Sequence, residues 1–310
     1  MARKGLLFVG AMMAATAAAV VLRTRLAERQ YPPLGKFVEV DGVRLHYVER
    51  GSGDPLVLLH GNGTMMQDFL TSDLVRLAAQ KHRVIVFDRP GYGYSDRPRR
   101  RVWTPAAQAD LFDSAVKRLG VERAHVLGHS WGTLVAVEWA LRHSDSVRSL
   151  TLASGYYFPT ARVDALLAAG PAIPILGDVM RFTVSPVWGR LMWPVLLRSM
   201  FGPSRTPEHW AGVPRSFALS PLSIRAGSEE GAIMVPSAAM VQDRYTELKM
   251  PVMIVVGDAD RIVSPKEQSQ RLHETITGSR LVMLPHVGHM VHHLEPRAVM
   301  NAIAEITSGS

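Results

Sequence analysis

The 310-residue chain has no cysteine, which excludes disulfides, thiolate metal sites and a cysteine nucleophile. It has no internal repeat and no low-complexity tract. It also has no nucleic-acid-binding motif to accompany its net charge of +8, so that charge points to anionic surfaces rather than to DNA or RNA. One further absence is local: Gly5 to Leu22 carries no charged side chain. At a rise of about 1.5 Å per residue such a helix approaches the thickness of a bilayer.

That N-terminal run, within "MARKGLLFVGAMMAATAAAVVLRTR", supports two readings. A signal peptide would be cut after small residues, at Ala15-Thr16-Ala17 or Ala17-Ala18-Ala19. A signal anchor would stay, and the apolar run continuing through Val20, Val21 and Leu22 favours it. The expectation is therefore membrane association through residues 5–22, with export after cleavage as the alternative. Basic residues flank both ends, so charge does not orient the segment. Residues 1–30 are expected to lie outside the folded domain.

Past the N-terminal segment, strand and helix patterns alternate. "FVEVDGVRLHYVERG" reads as two strands turning at Asp41-Gly42. Short apolar runs at 56–60, 83–88, 124–128, 147–154, 251–257 and 280–285 read as strands buried on both faces. Helix-length segments such as "AAQADLFDSAVKRLG" and "WGTLVAVEWALRH" separate several of them. A hairpin followed by strand–helix alternation predicts a mostly parallel sheet covered by helices. The rhythm stops between Gly155 and Tyr245, where no strand is evident and proline recurs. Residues 155–245 are read as a helical cap inserted into a core made of 37–154 and 246–310. Within the cap, "VWGRLMWPVLLRSMF" is expected to be helical, bent or divided at Pro194.

One serine stands at a strand-to-helix junction. "VLGHSWGTLVA" places Ser130 between Gly128 and Gly132, after a predicted strand and before a predicted helix. That context gives G-x-S-x-G its chemical meaning: a turn too tight for side chains lifts the hydroxyl towards the N–H groups of the next helix. A serine nucleophile needs a base, and the base needs an orienting carboxylate. Both are expected after later strands, in the order acid then histidine. "GDADRIVSP" offers Asp258 and Asp260. Asp260, which leads into apolar Ile262-Val263, is preferred, with Asp258 holding the turn. "HVGHM" offers His286 and His289. His289 is preferred because Gly288 leaves room for its approach to Ser130. The backbone N–H groups of Asn62, in "HGNGT", and of Trp131 are the expected oxyanion donors. His60 is read as structural, and His292 and His293 as surface or packing residues. No metal is expected at "HVGHMVHH", which has neither an HExxH pattern nor an adjacent acid. The arginines at 97, 99, 100 and 101 are read as a solvated loop.

Taken in order, "LLHGNG", "FDRPGYGYSDRP", "GHSWG", "VVGDADRIVSP" and "LPHVGHM" make residues 37–310 resemble the capped branch of the α/β-hydrolase superfamily. The resemblance implies an eight-stranded, mostly parallel sheet flanked by helices, with the cap inserted after strand six. It also implies a Ser130–His289–Asp260 triad and no cofactor or metal. Dehalogenases and epoxide hydrolases of that superfamily use aspartate where this chain has Ser130, which turns the expectation to an ester or lactone as small-molecule substrate. Acyl transfer, perhydrolysis, C–C bond hydrolysis and ligand binding without turnover are the alternatives on this scaffold. In the cap, Trp188, Met192, Trp193, Leu196 and Met200 are candidates for an apolar pocket, with Leu197 and Phe201 beside them.

Overall fold

A computed structural model describes residues 2–162 and 168–307. Residue 1, residues 163–167 of the expected cap and residues 308–310 of the expected core lie outside the described residues. Strands β1 (Lys36–Val40) and β2 (Val43–Arg50) form the hairpin. Its turn residues Asp41 and Gly42 have φ of 51° and 70°, the paired positive angles that match the twist of a two-residue hairpin. Then come β3 (Asp54–Leu59), β4 (His82–Phe87), β5 (Ala124–His129), β6 (Val147–Ala153), β7 (Val252–Gly257) and β8 (Arg280–Leu284). The eight strands lie in the order β1-β2-β4-β3-β5-β6-β7-β8. β2 runs antiparallel to β1 and β4, and every other pairing is parallel.

Strand periodicity divides the core in two. Val57, Leu59, Ile85, Phe87, Val126 and Ile254 point to one face, where Phe112 and Trp139 cover them from α4 (Pro105–Arg118) and α5 (Trp131–Arg142). Leu56, Leu58, Val84, Val86, Leu127 and Val255 point to the other. There α3 (Asp73–Ala78) and the C-terminal helix (Pro296–Thr307) contribute Leu74, Val75, Val299 and Ile303. Adjacent residues are thus buried on opposite faces, which is why these strands read as unbroken apolar runs. Each fully buried aliphatic side chain contributes roughly 1.5–3 kcal/mol, so truncating Leu58 to alanine costs about 2–5 kcal/mol. Helix α4 starts where Thr104 accepts a hydrogen bond from the Ala107 N–H at 3.1 Å and Pro105 needs no donor partner.

Between β6 and β7 the described elements are helical. They are α6 (Leu176–Met180), α7 (Val184–Phe201), α8 (Arg215–Ala218) and α9 (Pro221–Val241), with short 3₁₀ turns. Pro194 sits inside α7, which is one helix and not two. The N-terminal helix α1 (Ala2–Gln30) is the one described helix long and apolar enough to cross a membrane, over Leu7–Gln30. Its C-terminal end is not free of the fold, contrary to expectation. Val20 and Ala27 are buried, α1 packs on α8, and Tyr94 donates its hydroxyl proton to the Tyr31 carbonyl at 2.6 Å.

Candidate active site

The chain crosses from β5 to α5 through Ser130, whose φ and ψ are 52° and −121°. A non-glycine residue held there is strained, and its surroundings must impose the conformation. They do so by proximity. A Cβ on Gly128 would lie 2.5 Å from the Gly132 carbonyl oxygen, and one on Gly132 would lie 2.2 Å from that of Leu59. Only glycine fits either position. Ser130 donates its backbone N–H to Ala153 O at 2.9 Å, and its own carbonyl accepts from the Thr133 N–H and hydroxyl. The turn is therefore fixed on both sides of the hydroxyl.

His289 and Asp260 are brought together. His289 Nδ1 lies 2.8 Å from Asp260 Oδ2, with both side chains buried. Asp260 Oδ1 is occupied separately by the N–H groups of Ile262 and Val263, at 2.8 and 3.0 Å. Every Asp260 contact is thus a donor to a carboxylate, so in the neutral imidazole the His289 proton sits on Nδ1 and the lone pair on Nε2. The competing pair does different work. Asp258 accepts the His286 N–H at 2.7 Å, and His286 is exposed. Gly288, however, does not open the space expected of it. Cap backbone fills that space, since a Cβ there would meet Gly202 O at 2.4 Å and Met200 O at 3.0 Å.

The loop after β3 passes over Ser130: a Cβ on Gly61 would lie 3.1 Å from the serine Cβ. Asn62 is held in this loop by its side chain, which donates to Gly227 O of α9 at 2.9 Å. Trp131 opens α5, so its N–H has no carbonyl four residues earlier in the helix to bond. His60 donates from Nδ1 to Gly61 O at 2.8 Å and accepts the Arg89 N–H on Nε2 at 2.9 Å. Burial, with the charge of Arg89, pushes its pKa well below the ordinary histidine value. It is a neutral strut, as expected.

Ser130, His289, Asn62 and Trp131 all line a cavity of about 370 Å³. Trp193, Leu196 and Met200 of α7 line it as well, with Met234, Ile262 and Val263. Trp188 and Met192 do not line it. Trp188 is 61% exposed and lies about 140° around the helix from Trp193, while Met192, one turn before Leu196, is at the edge of the cavity-lining face. Two groups escaped sequence reasoning. Arg89 is fully buried, donating to His60 O, Gly61 O and both carboxylate oxygens of Glu230 on α9. Gln108 and Tyr92 also donate to Glu230, so the cap is bolted to the loop that carries Asn62. Arg97 is buried too and pairs with Glu229 at 2.7 Å, so that part of the arginine loop is not solvated. Nor is either of His292 and His293 at the surface: both are buried.

Known proteins share this fold. A profile of the alpha/beta hydrolase fold matches residues 54–296. Haloalkane dehalogenase 2 of Mycobacterium tuberculosis is 25% identical over 288 residues, spanning 89% of this chain and 95% of that protein. The 2-hydroxymuconate semialdehyde hydrolase of Pseudomonas putida is 27% identical over 294 residues, spanning 90% and 97%. Among solved structures, a bacterial membrane phospholipase A superposes with a TM-score of 0.68 at 23% identity, covering 99% of both chains. That superposition extends over α1.

Proposed function

The chain belongs to the α/β-hydrolase family, and on that footing we propose that it is a serine hydrolase of carboxylic esters with apolar chains, acting at a membrane surface. The observation that carries the reading is Ser130, on its strained turn, sharing an apolar cavity with a His289 whose Nδ1 proton is committed to Asp260.

The chemistry follows from those atoms. His289 Nε2 takes the Ser130 hydroxyl proton as the serine oxygen attacks the ester carbonyl carbon. The tetrahedral oxyanion is held by the N–H groups of Trp131 and Asn62. His289 returns the proton to the leaving alcohol, and the acyl group stays on Ser130. Water, deprotonated by His289, then attacks the acyl carbon, the bond to Ser130 Oγ breaks as His289 returns the proton to that oxygen, and the acid is released. Asp260 fixes the imidazole orientation and stabilises its charged form. A serine at position 130 separates this scheme from the aspartate chemistry expected of dehalogenases.

Membrane presentation is supported by continuity of apolar surface. A groove of about 800 Å³ between α1 and the cap is lined by Leu26, Ala27 and Leu197, with Arg23, Arg190 and Arg215 among its residues. Trp193, Trp210 and Val213 line both this groove and the cavity at Ser130. Val187, Trp188, Leu191 and Val195 of α7 are exposed, and an apolar face of that size beside a spanning-length helix suits lipid contact.

The test is hydrolysis of p-nitrophenyl esters of graded acyl length by the full chain, beside Ser130→Ala. Turnover that rises with chain length and falls by at least about 10³-fold in the variant supports the reading. No turnover on any ester, with Ser130 unlabelled by a fluorophosphonate, overturns it.

A further inference from the structure

We propose that Arg23, Arg190 and Arg215 hold the phosphate of a phospholipid in the groove between α1 and the cap. Given Ser130 as the nucleophile, a reading on which this assignment rests, phospholipid is then the class of ester that Ser130 meets.

The three arginines come from three helices and line one groove. Arg23 is on α1, Arg190 is on α7 and Arg215 opens α8, with α1 packed on α8. Elsewhere on the surface arginines are paired: Arg99 with Asp178, Arg142 with Asp110 and Arg280 with Glu305. Among the described residues, none of the groove arginines pairs with a carboxylate. Glu208, the one acid lining the groove, makes no ion pair with them. Arg190 is half-buried and donates one N–H to Pro186 O at 3.1 Å, within its own helix. Burial lowers its pKa, and the charges of Arg23 and Arg215 lower it further. An arginine stays charged regardless. Like charges gathered at a partly desolvated site call for an anion. Phosphate is tetrahedral, so guanidiniums arriving from three directions can each reach an oxygen.

Depth agrees with charge. The uncharged run that begins at Gly5 ends at Leu22, and Arg23 is the next residue. At about 1.5 Å per residue, that run nearly crosses a hydrocarbon core of roughly 30 Å. Arg23 therefore stands where hydrocarbon gives way to the phosphate layer. Arg190 and Arg215 share its groove and hence its depth.

The remaining lining says what else the ligand carries. Leu26, Ala27 and Leu197 lie beside the arginines, and Trp193, Trp210 and Val213 border both this groove and the Ser130 cavity. The cavity holds about 370 Å³ and the groove about 800 Å³. An acyl chain in the smaller space thus leaves the phosphate-bearing half in the larger one. A free phosphate matches the arginines alone, and a neutral glyceride matches the apolar lining alone. A phospholipid matches both.

Dihexanoyl phosphatidylglycerol and dihexanoyl glycerol share their acyl esters and differ in the phosphate headgroup. Both are offered to the full chain in non-ionic detergent, which presents no anionic surface. The phospholipid should be favoured in kcat/KM by at least about 100-fold, mainly through KM. Arg190→Gln and Arg215→Gln should each cut that ratio by about 10-fold or more, and Arg190→Lys should recover part of it. A ratio of two substrates on one preparation is insensitive to lost folded protein. A ratio near one in wild type, or a wild-type ratio in both glutamine variants, overturns the proposal. Tryptophan emission of Ser130→Ala reads binding without turnover. The phospholipid should bind at least about 10-fold more tightly than dihexanoyl glycerol or inorganic phosphate. Inorganic phosphate bound as tightly would make the arginines a free-anion site and overturn the lipid assignment. A chain that cleaves p-nitrophenyl esters but lacks the phospholipid preference fails here alone. A chain inert on every ester that still binds the phospholipid selectively fails only in Ser130 as nucleophile.

Discussion

Asp258 and Asp260 are two residues apart on one loop, yet their oxygens meet different donors. Asp260 faces the His289 Nδ1, while Asp258 faces only the His286 backbone. Replacing Asp260 with asparagine turns one acceptor into a donor and removes the preference for a proton on Nδ1. The expected fall in kcat is about 10³- to 10⁴-fold on a short-chain ester, with KM changed much less. Asp258→Asn should stay within about threefold of wild type. Steady-state kinetics of the two variants decides the assignment, and the reverse pattern would move the acid to Asp258. A second residue-scale consequence concerns pH. His60 and His129 are buried with pKa values well below the ordinary one, chiefly through desolvation. In the unfolded chain both titrate near 6.5. Below that pH the unfolded state therefore binds more protons than the folded state, and stability falls as pH falls. Each group contributes a loss of at most about 1.4 kcal/mol per pH unit. Urea midpoints should be level from pH 8 to 7 and drop from pH 6.5 to 5; a level midpoint across that lower range would contradict neutral burial.

At the scale of elements, α9 is tied to the core at several points, and the most buried of them converge on one carboxylate. Glu230 receives two charge-assisted hydrogen bonds from Arg89 and others from Gln108 and Tyr92, all buried. Glu230→Gln leaves a buried guanidinium without its counter-charge, which costs about 3–5 kcal/mol. The chain should melt lower, and Asn62, tied to the same helix through Gly227 O, should lose its fixed position, so kcat falls as well. Differential scanning fluorimetry with ester kinetics reads both. A wild-type melting temperature in this variant would show that the cap is held elsewhere. Neither Glu230 nor Arg89 is legible in the sequence, because the pair is 141 positions apart and no local pattern announces it. The strands were legible for the opposite reason: residues such as Leu56 and Val57 are buried on opposite faces, so composition alone marks them. Ser130, Asp260 and His289 were legible because strand–turn signals fix which loops meet at one edge of a parallel sheet. Helix α7 was legible as a helix but not in its facing. It is apolar on both sides, one towards the cavity and one exposed, so Trp188 and Trp193 could not be told apart. Asp68 on α2 (Gln67–Leu70), which accepts from the buried His292 and His293, was missed as Glu230 was, its histidine partners lying near the far end of the chain.

At the scale of the whole molecule, arginines and apolar side chains meet where α1 packs on the cap. Arg23, Arg190 and Arg215 border the groove where α1 meets the cap, and Leu7, Phe8, Met12 and Leu22 are exposed along α1. Charge and apolar area act differently on lipid. Arginines near an anionic surface contribute about 1 kcal/mol each, screened within a Debye length of roughly 8 Å at physiological salt, whereas burial of a spanning helix is insensitive to salt. The fragment 31–310 retains both faces of the sheet core, since Ala27 is the only α1 residue among the buried core clusters of the described residues. It should therefore fold and cleave a soluble short-chain ester within about threefold of the full chain. On anionic vesicles the two should part. In flotation, the full chain stays with the vesicles in about 0.5 M salt, where the Debye length is under 5 Å, while the fragment binds through its basic and apolar cap face and is released. Its activity on an ester embedded in those vesicles should fall at least about 10-fold. Salt-resistant flotation of the fragment would assign the membrane contact to the cap rather than to α1, and equal activity on the embedded ester would remove the membrane from substrate delivery altogether.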